Sequence, residues 1–289
     1  MPLKRSTRIA LILGAGVAAY AAMTFLPADD PETLLQLVNA YRSAPGACAG
    51  KRVPPLGPLA PSPALAKADV GSSQALPEAL KRAGYSASEA QAIVLSGSRR
   101  AGATMAVLKE RYCDALLSPQ FAEAGIARDG TRWTLVLARP LLSTDLGDWR
   151  AAGQEVLRLV NEARAKPRSC GDRKFDAARP VEWQPKLALA SLAHSRDMAR
   201  RNYFAHQSQG GTVASDRADT AGYRWTRVGE NIAAGQGSPK QVVAGWLLSP
   251  SHCVNIMESA FTEMGAAYAL DPDSDAKIYW TQLFGVPEK

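Results

Sequence analysis

Apolar and polar residues recur along the chain with two different periods, and the longer period predicts helices. Over Leu34–Arg42, and again over Val156–Arg164, apolar residues return every three or four positions, which is the spacing of one helix face. Another helix is predicted over Lys186–Arg201, because Pro185 precedes it at a position where helices commonly begin. The first two helices are amphipathic, so each has one face suited to a protein core.

Strands are predicted where β-branched and aromatic residues gather near the end of each half of the chain. Thr131–Leu137 and Ile278–Phe284 have this composition. Asp129-Gly130 is a strong hairpin turn before the first strand, and Asp271–Asp275 is a longer loop before the second. Helices that flank a short antiparallel sheet indicate an α+β fold built in layers.

The two halves share residues at a constant spacing, which indicates an internal repeat. At an offset of 122 residues, the first half matches the second in Leu35/Leu157, Leu37/Leu159, Val38/Val160, Asn39/Asn161, Arg42/Arg164, Pro45/Pro167 and Cys48/Cys170. Later matches are Ala83–Tyr85 with Ala221–Tyr223, Cys113 with Cys253, and Glu123 with Glu263. The chain is therefore predicted to contain two copies of one unit, and the first copy covers about residues 33–142.

The first copy lacks the polar residues that distinguish the second. Between Ala68 and Ala83 it is shorter by about sixteen residues, and the missing segment is the one that holds His206 in the second copy. Glu230 is replaced by Ala92 and His252 by Tyr112, and all three histidines of the chain lie in the second copy. The first copy is therefore interpreted as degenerate, with a structural or a partner-contacting role.

Polar signatures in the second copy carry a resemblance to a known family. They are Asn202–His206, Gly229–Ile232, Ser249–Met257, Phe261–Gly265 and Tyr279–Gly285. Together they resemble the CAP superfamily of cysteine-rich secretory proteins, antigen 5 and plant pathogenesis-related proteins, over about residues 153–286. The resemblance implies an α-β-α sandwich, here preceded by a degenerate copy of the same unit. It also implies one fold with many extracellular roles and few established enzymes.

Three residues match the polar cleft that this resemblance implies. His206, Glu230 and His252 correspond to three members of the two-histidine, two-glutamate set of the family. Two imidazoles and one carboxylate are also a familiar zinc set that leaves one coordination position open, so zinc is the candidate metal. Binding of a ligand or ion and a purely structural polar network both remain open, and no residue is assigned a catalytic role.

The set of four is incomplete in this chain. The second glutamate of the family stands three residues after the tryptophan matched by Trp246, and that position is Ser249 here. Glu263 is near in sequence, but Glu123 occupies the equivalent position in the copy that lacks both cleft histidines. Glu263 is therefore predicted to support the fold. His194 lies on the apolar face of its helix and is predicted to be a packed, hydrogen-bonded histidine.

The positive charge of the chain does not predict a nucleic-acid partner. The formal net charge is +7, and three of the positive residues, Lys4, Arg5 and Arg8, lie within the first eight positions. A second basic group follows the helix over Val156–Arg164, but it has little aromatic interleaving and no nucleic-acid-binding motif. It is interpreted as a solvated basic face.

The beginning of the chain has the order of a secretion signal. Ile9–Leu26 contains no charged residue, follows the basic residues, and is closed by Pro27 and the pair Asp29-Asp30. Ala19–Ala21 offers a small-x-small cleavage pattern, whereas the apolar run is about as long as a short membrane span. A cleaved peptide and an inner-membrane anchor over residues 9–26 remain alternatives. Both place the rest of the chain outside the cytoplasm, in the periplasm or secreted.

Four cysteines in an exported chain favour disulfides, and four allow three pairings. The repeat selects among the pairings, because Cys48 is equivalent to Cys170 and Cys113 to Cys253. Bridges within each copy, Cys48–Cys113 and Cys170–Cys253, are therefore predicted. Each would stabilise its copy by about 3–4 kcal/mol in the chain-entropy model.

These predictions combine into one domain organisation and three functional hypotheses. Residues 1–28 are a signal peptide or membrane anchor, 29–145 a degenerate CAP-like domain and 150–289 a CAP domain. The leading hypothesis is a non-enzymatic exported bacterial protein that binds an envelope component, a lipid or a small molecule. The alternative is a metal-dependent hydrolase acting on a peptide or cell-wall substrate. In the third hypothesis the first copy recruits a protein partner.

Overall fold

The computed structural model describes residues 29–70, 76–141 and 146–288. The apolar segment over residues 9–26, predicted as a signal or anchor, lies outside these residues. Within the described ranges, no helix combines the length and the apolar character needed to cross a membrane.

The first copy begins at a capped helix, because the Asp30 side chain accepts a hydrogen bond from the Thr33 amide at 2.7 Å. Its helices and strands follow in chain order: α1 (Pro31–Ser43), β1 (Ala47–Cys48), β2 (Lys51–Arg52), β3 (Ala60–Pro61), α2 (Pro63–Ala66), α3 (Leu76–Arg82), β4 (Ala87–Ser96), α4 (Ala101–Arg111), α5 (Cys113–Leu116), β5 (Glu123–Asp129) and β6 (Arg132–Pro140).

The second copy also begins at a capped helix, with the Asp148 side chain accepting from the Arg150 amide at 3.2 Å. Its elements are α6 (Trp149–Arg164), β7 (Arg168–Cys170), β8 (Arg173–Phe175), β9 (Glu182–Trp183), α7 (Pro185–Arg200), α8 (Ala214–Thr220), β10 (Trp225–Ala234), α9 (Pro239–Leu247), α10 (Pro250–Met257), β11 (Glu263–Leu270) and β12 (Ile278–Pro287).

The two copies have the same sheet topology. The first sheet has the strand order β3-β5-β6-β4, and the second has the equivalent order β9-β11-β12-β10. In each sheet the short outer strand is parallel to its neighbour, and the other pairs are antiparallel. The predicted α+β fold, with a degenerate copy before the second unit, is confirmed.

Helices cover both faces of the second sheet, because alternate residues of β12 point to opposite sides. Trp280 and Phe284 pack with residues of α6, α9 and α10. Tyr279 packs with Met198 of α7, and Leu283 packs with Leu187 of α7. The second copy is therefore the α-β-α sandwich that the family resemblance implies.

A glycine at the same position in each copy allows a helix to approach the sheet closely. A Cβ atom built on Gly265 of β11 would lie 2.0 Å from the backbone nitrogen of Ala188. A Cβ atom on the equivalent Gly125 of β5 would lie 2.2 Å from the backbone nitrogen of Ala66. Only glycine fits in this contact, so the repeat extends to the packing of the helix on the sheet.

Each copy also holds a buried arginine that binds only backbone carbonyl groups. Arg164 donates to the carbonyl oxygens of Arg179, Ile256, Glu258 and Phe261. Arg42 donates to the equivalent carbonyl oxygens of Gly57, Leu116, Ser118 and Phe121. Three of the four hydrogen bonds in each copy tie its first helix to the loop that precedes its second long strand, β5 or β11.

Both predicted disulfides are confirmed. Cys48 is bonded to Cys113, with a Cα–Cα distance of 5.7 Å, and Cys170 is bonded to Cys253, with a Cα–Cα distance of 5.5 Å. Each bridge joins the segment after the first helix to the short helix before the second long strand, α5 before β5 or α10 before β11.

Polar side chains of the second copy reach into the first. Gln236 is fully buried, and its Nε2 donates to the carbonyl oxygens of Pro58 at 2.8 Å and Ala122 at 3.2 Å. Gln241 of α9 donates to Glu123, which is itself buried. Burial raises the pKa of Glu123. The two copies are thus joined by hydrogen bonds from amide side chains of the second copy to acceptors of the first.

Candidate functional site

Separate elements of the second copy bring the three predicted cleft residues together. Glu230 lies on β10, His252 on α10, and His206 in the segment between α7 and α8. His206 Nδ1 is 2.9 Å from Glu230 Oε1. The backbone of His252 is tied to the residue after Glu230, because Asn231 donates to the carbonyl oxygen of His252 at 3.2 Å. The His206 side chain is 59% exposed, and that of Glu230 only 4%.

An arginine that was not predicted from the sequence completes the cleft. Arg217 of α8 is mostly buried and donates from Nη2 to Glu230 Oε2 and to the carbonyl oxygen of His206. It also donates from Nη1 to the carbonyl oxygen of Thr212 at 3.0 Å. Arg217 therefore holds the buried carboxylate and fixes the backbone that carries His206. The sequence could not identify this role, because Arg217 belongs to no motif and to no regular spacing of polar residues.

The carboxylate of Glu230 is held in its ionised form. Burial alone would raise the pKa of Glu230, but the hydrogen bond from His206 and the charge of Arg217 outweigh burial and lower the pKa. Glu230 therefore balances the buried charge of Arg217 and is not a proton acceptor near neutral pH.

Ser249, which stands where the family has its second glutamate, contacts His252 directly. The Ser249 hydroxyl is 2.7 Å from His252 Nδ1, and both residues are buried. Burial and, to a lesser extent, His206 lower the pKa of His252 to about 3. His252 is therefore neutral at pH 7. A carboxylate at position 249 would have favoured the charged imidazole, whereas the Ser249 hydroxyl group carries no charge.

Two asparagines of the family signatures fix the frame of the cleft. Asn255 of α10 donates to the carbonyl oxygen of Glu230 at 3.0 Å and to Asn231 Oδ1 at 2.9 Å. Asn231 donates to the carbonyl oxygen of His252 at 3.2 Å and to Gln282 Oε1 at 3.0 Å. This network locks α10 to β10, so the carboxylate and the buried imidazole hold a constant relative position.

Two other predicted residues lie where the sequence placed them, away from the cleft. Glu263 of β11 accepts from Tyr223 at 2.6 Å and from Gln184 at 3.0 Å. Its counterpart Glu123 accepts from Tyr85 at 2.8 Å. His194 is buried on α7, and its Nε2 lies 2.9 Å from the carbonyl oxygen of Ala205. Glu263 supports the fold, and His194 is a packed, hydrogen-bonded histidine.

The cleft does not suit a divalent metal in this arrangement. Both oxygens of Glu230 are hydrogen-bonded, one to His206 and the other to Arg217, whose positive charge would repel a cation. The described ranges contain no group of three or more histidine, cysteine, aspartate or glutamate side chains arranged so that they could hold a metal ion. Zinc at His206, Glu230 and His252 would require the Arg217–Glu230 pair to open.

The lowered pKa of His252 predicts a loss of stability in acid. Between about pH 6.5 and 3, the unfolded chain binds a proton at this imidazole that the folded chain excludes. His252 therefore lowers the free energy of unfolding as pH falls through this window, by up to about 1.4 kcal/mol per pH unit. Urea unfolding at pH 7, 6, 5 and 4 measures how the free energy of unfolding depends on pH. The His252→Gln variant lacks this imidazole, so its dependence is weaker by up to about 1.4 kcal/mol per pH unit. Equal slopes in the two proteins would contradict the assignment.

Comparison with known proteins places the second copy among relatives. Residues 157–284 match the profile of the CAP family, described as the cysteine-rich secretory protein family. The uncharacterized protein YkwD of Bacillus subtilis (strain 168) is 34% identical over 131 residues, which cover 45% of this chain and 46% of YkwD. The uncharacterized membrane protein YlbC of the same organism is 30% identical over 131 residues, which cover 45% of this chain and 33% of YlbC. The matched region spans less than half the length of both relatives.

Solved structures show weaker similarity. An extracellular protein containing an SCP domain from Bacillus anthracis str. Ames has 22% identity and a TM-score of 0.40, over 54% of this chain and 52% of that chain. An outer surface protein from Borrelia burgdorferi has 18% identity and a TM-score of 0.38, over 47% of this chain and 89% of that chain.

Proposed function

Residues 157–284 form a CAP domain, and on this premise we propose that the chain is a non-enzymatic binding protein. Its cleft of His206, Glu230 and His252 takes the polar group of an envelope component, a lipid or a small molecule. The observation that carries the proposal is an exposed imidazole, His206, placed over a buried and charge-balanced Glu230–Arg217 pair.

The hydrogen bonds of the cleft leave two imidazole nitrogens for a ligand. His206 uses Nδ1 for Glu230, and His252 uses Nδ1 for Ser249. Among the described residues, neither Nε2 atom has a hydrogen-bond partner. A neutral imidazole nitrogen donates or accepts according to its tautomer, so the pair suits hydroxyl, amide or headgroup oxygens.

The state of Glu230 favours binding over hydrolysis. A hydrolase of the proposed alternative kind needs a metal ion or a carboxylate that takes a proton from water. Here the Glu230 carboxylate is committed to Arg217 and its pKa is lowered. Catalysis through this residue would first have to break a buried ion pair, which is costly.

The proposed location is outside the cytoplasm. Two disulfides within one chain are typical of an oxidising compartment. The basic and then apolar order of the first residues also fits an exported chain, either as a cleaved peptide or as an anchor over residues 9–26.

Native mass spectrometry of protein purified from the cell envelope tests the proposal, together with zinc calorimetry at neutral pH. We expect an adduct of organic mass that survives treatment with a chelator, and no heat of zinc binding at micromolar metal. His206→Ala and His252→Ala remove the adduct, because each deletes one of the two available imidazole nitrogens.

Gln207→Ala is the matched control, since Gln207 is the exposed neighbour of His206 and its side chain donates to the carbonyl oxygen of Gly211 instead. This variant keeps the adduct. A bare polypeptide mass from wild-type protein would contradict ligand binding. Zinc uptake that needs His206 and His252 would establish the metal-dependent alternative.

A further inference from the structure

A pocket between the two copies is separate from the polar cleft. Its volume of about 410 Å³ falls in the range of sites for small organic ligands. The uncharged lining residues are 53–57, Leu117 and Pro119 of the first copy, and 202–205, Ala234, Ala276 and Tyr279 of the second. None of the three cleft residues is among them. The pocket depends on the pairing of the copies, because each copy supplies one of its walls.

The wall from the first copy is apolar and poor in hydrogen-bond donors. Pro54, Pro55 and Pro119 have no backbone N–H group, so none of the three can donate to a ligand. The second copy contributes the half-buried side chain of Phe204. A Cβ atom on Gly57 would lie 3.3 Å from Phe204 Cζ, so the two walls meet at Gly57. The space between the walls therefore suits an apolar group.

The positive charge at the pocket is already committed. Among the described residues that line it, only Arg42 and Asp275 are charged. The Arg42 guanidinium donates to four backbone carbonyl groups of its own copy, and the residue is only 3% exposed. A ligand with a carboxylate or phosphate group would have to displace these hydrogen bonds, which is costly. Arg42 therefore does not serve an anionic ligand.

The negative charge at the pocket is available. Asp275 is exposed, and its carboxylate takes part in no hydrogen bond or ion pair with the described residues. Its backbone amide donates to Asn202 Oδ1 at 2.8 Å, and the Tyr279 hydroxyl donates to the same oxygen at 3.3 Å. Asn202 and Tyr279 also line the pocket, so this oxygen fixes the backbone of Asp275 at the pocket edge. The carboxylate is therefore free to pair with a cationic group there.

We propose that this pocket binds an aliphatic amine in its protonated form. The ammonium group pairs with the Asp275 carboxylate, and the aliphatic chain lies between the prolines of the first copy and Phe204. An ammonium group has three donors and no acceptor, which matches a carboxylate that only accepts. Such a charge-assisted hydrogen bond is about twice as strong as one between neutral groups. The ligand class is therefore a monovalent alkylammonium ion, bound at a site distinct from the polar cleft.

Three probes that share a six-carbon chain test this proposal: hexylammonium, 1-hexanol and hexanoate, each titrated into the purified full-length protein at pH 7. The readout is the backbone amide resonances of Leu56 and Phe204, which line the pocket from different copies. Hexylammonium shifts both resonances saturably, with a dissociation constant in roughly the millimolar range for so small a ligand. Hexanol binds about threefold to fivefold more weakly, because it forms no ion pair. Hexanoate binds about tenfold more weakly, because Asp275 repels it.

A variant that removes the charge tests the role of Asp275. In Asp275→Asn, hexylammonium binds no better than hexanol, which is a loss of about threefold to fivefold. Asp273→Asn is the matched control, because Asp273 is exposed in the same loop and does not line the pocket. This control keeps the preference for the amine. Equal affinities of the wild type for hexylammonium and hexanoate would overturn the proposal, as would an unchanged preference for the amine in Asp275→Asn.

A pocket-filling variant locates the site. Ala205 is exposed and lines the pocket, so Ala205→Leu narrows the site without entering the core and abolishes the shifts that hexylammonium causes. Ala151→Leu makes the same change at an exposed position of α6 and leaves binding unchanged. Shifts that persist in Ala205→Leu would place the amine elsewhere and overturn the proposal. Wild-type Leu56 and Phe204 resonances that hexylammonium does not move would also overturn it.

Discussion

Replacing Gly265 with alanine lowers the free energy of unfolding by about 3 kcal/mol or more. The new Cβ atom would lie 2.0 Å from the Ala188 backbone nitrogen and 2.5 Å from the Leu187 carbonyl carbon. Both contacts are with the backbone of α7, which cannot give way by a change of rotamer. The helix would have to move away from the sheet that it covers. Urea unfolding followed by circular dichroism measures the loss.

Gly102→Ala is the control, because Gly102 lies in α4 and a Cβ atom there would meet no atom within 4 Å. That variant is unchanged or more stable by up to about 1 kcal/mol, since alanine is the better helix former. Gly125→Ala in the first copy gives the same large loss as Gly265→Ala. A wild-type unfolding midpoint in Gly265→Ala would show that the close contact does not exist.

Replacing Arg164 with methionine lowers the free energy of unfolding by about 3–5 kcal/mol. Arg164 is fully buried, and its guanidinium donates to four backbone carbonyl groups. Methionine has a similar length and brings no charge, so the loss measures the carbonyl groups left without donors. Denaturant unfolding at pH 7 gives the value.

Arg158→Met on the same helix is the matched control. Arg158 is exposed and pairs only with Glu155 and Glu162 on its own helix surface. Such pairs contribute about 1 kcal/mol or less, so this variant unfolds close to the wild type. Similar losses in the two variants would indicate that Arg164 acts only through its helical propensity and its charge.

The repeat made much of the fold predictable. The disulfides followed from equivalent positions, because a bridge inside one copy implies the same bridge inside the other. Periodicity predicted several of the helices and strands, but the structure places their ends at different residues. The helix predicted from Val156 begins seven residues earlier, at Trp149, because the Asp148 side chain caps it there. The strand predicted to end at Phe284 continues to Pro287, because it pairs with β10 to its end.

Contacts between distant segments were not predictable from the same patterns. The sequence identified His206, Glu230 and His252 through the family signatures, but Arg217 belongs to none of those signatures. Arg217 meets Glu230 only because α8 packs beside β10. The Ser249–His252 hydrogen bond likewise depends on the first turn of α10. Side-chain pairing of this kind is decided by tertiary packing, which local periodicity does not record.

The contact between the copies is heterologous, since it joins different surfaces of equivalent units. The donors Gln236 and Gln241 belong to the second copy, and the acceptors Pro58, Ala122 and Glu123 to the first. At the positions equivalent to the two donors, the first copy has Ser98 and Ala103. Heterologous contacts between identical units generate open filaments unless the rotation closes a ring. Because the first copy lacks both glutamines, it cannot offer the same pair of amide donors to a further unit.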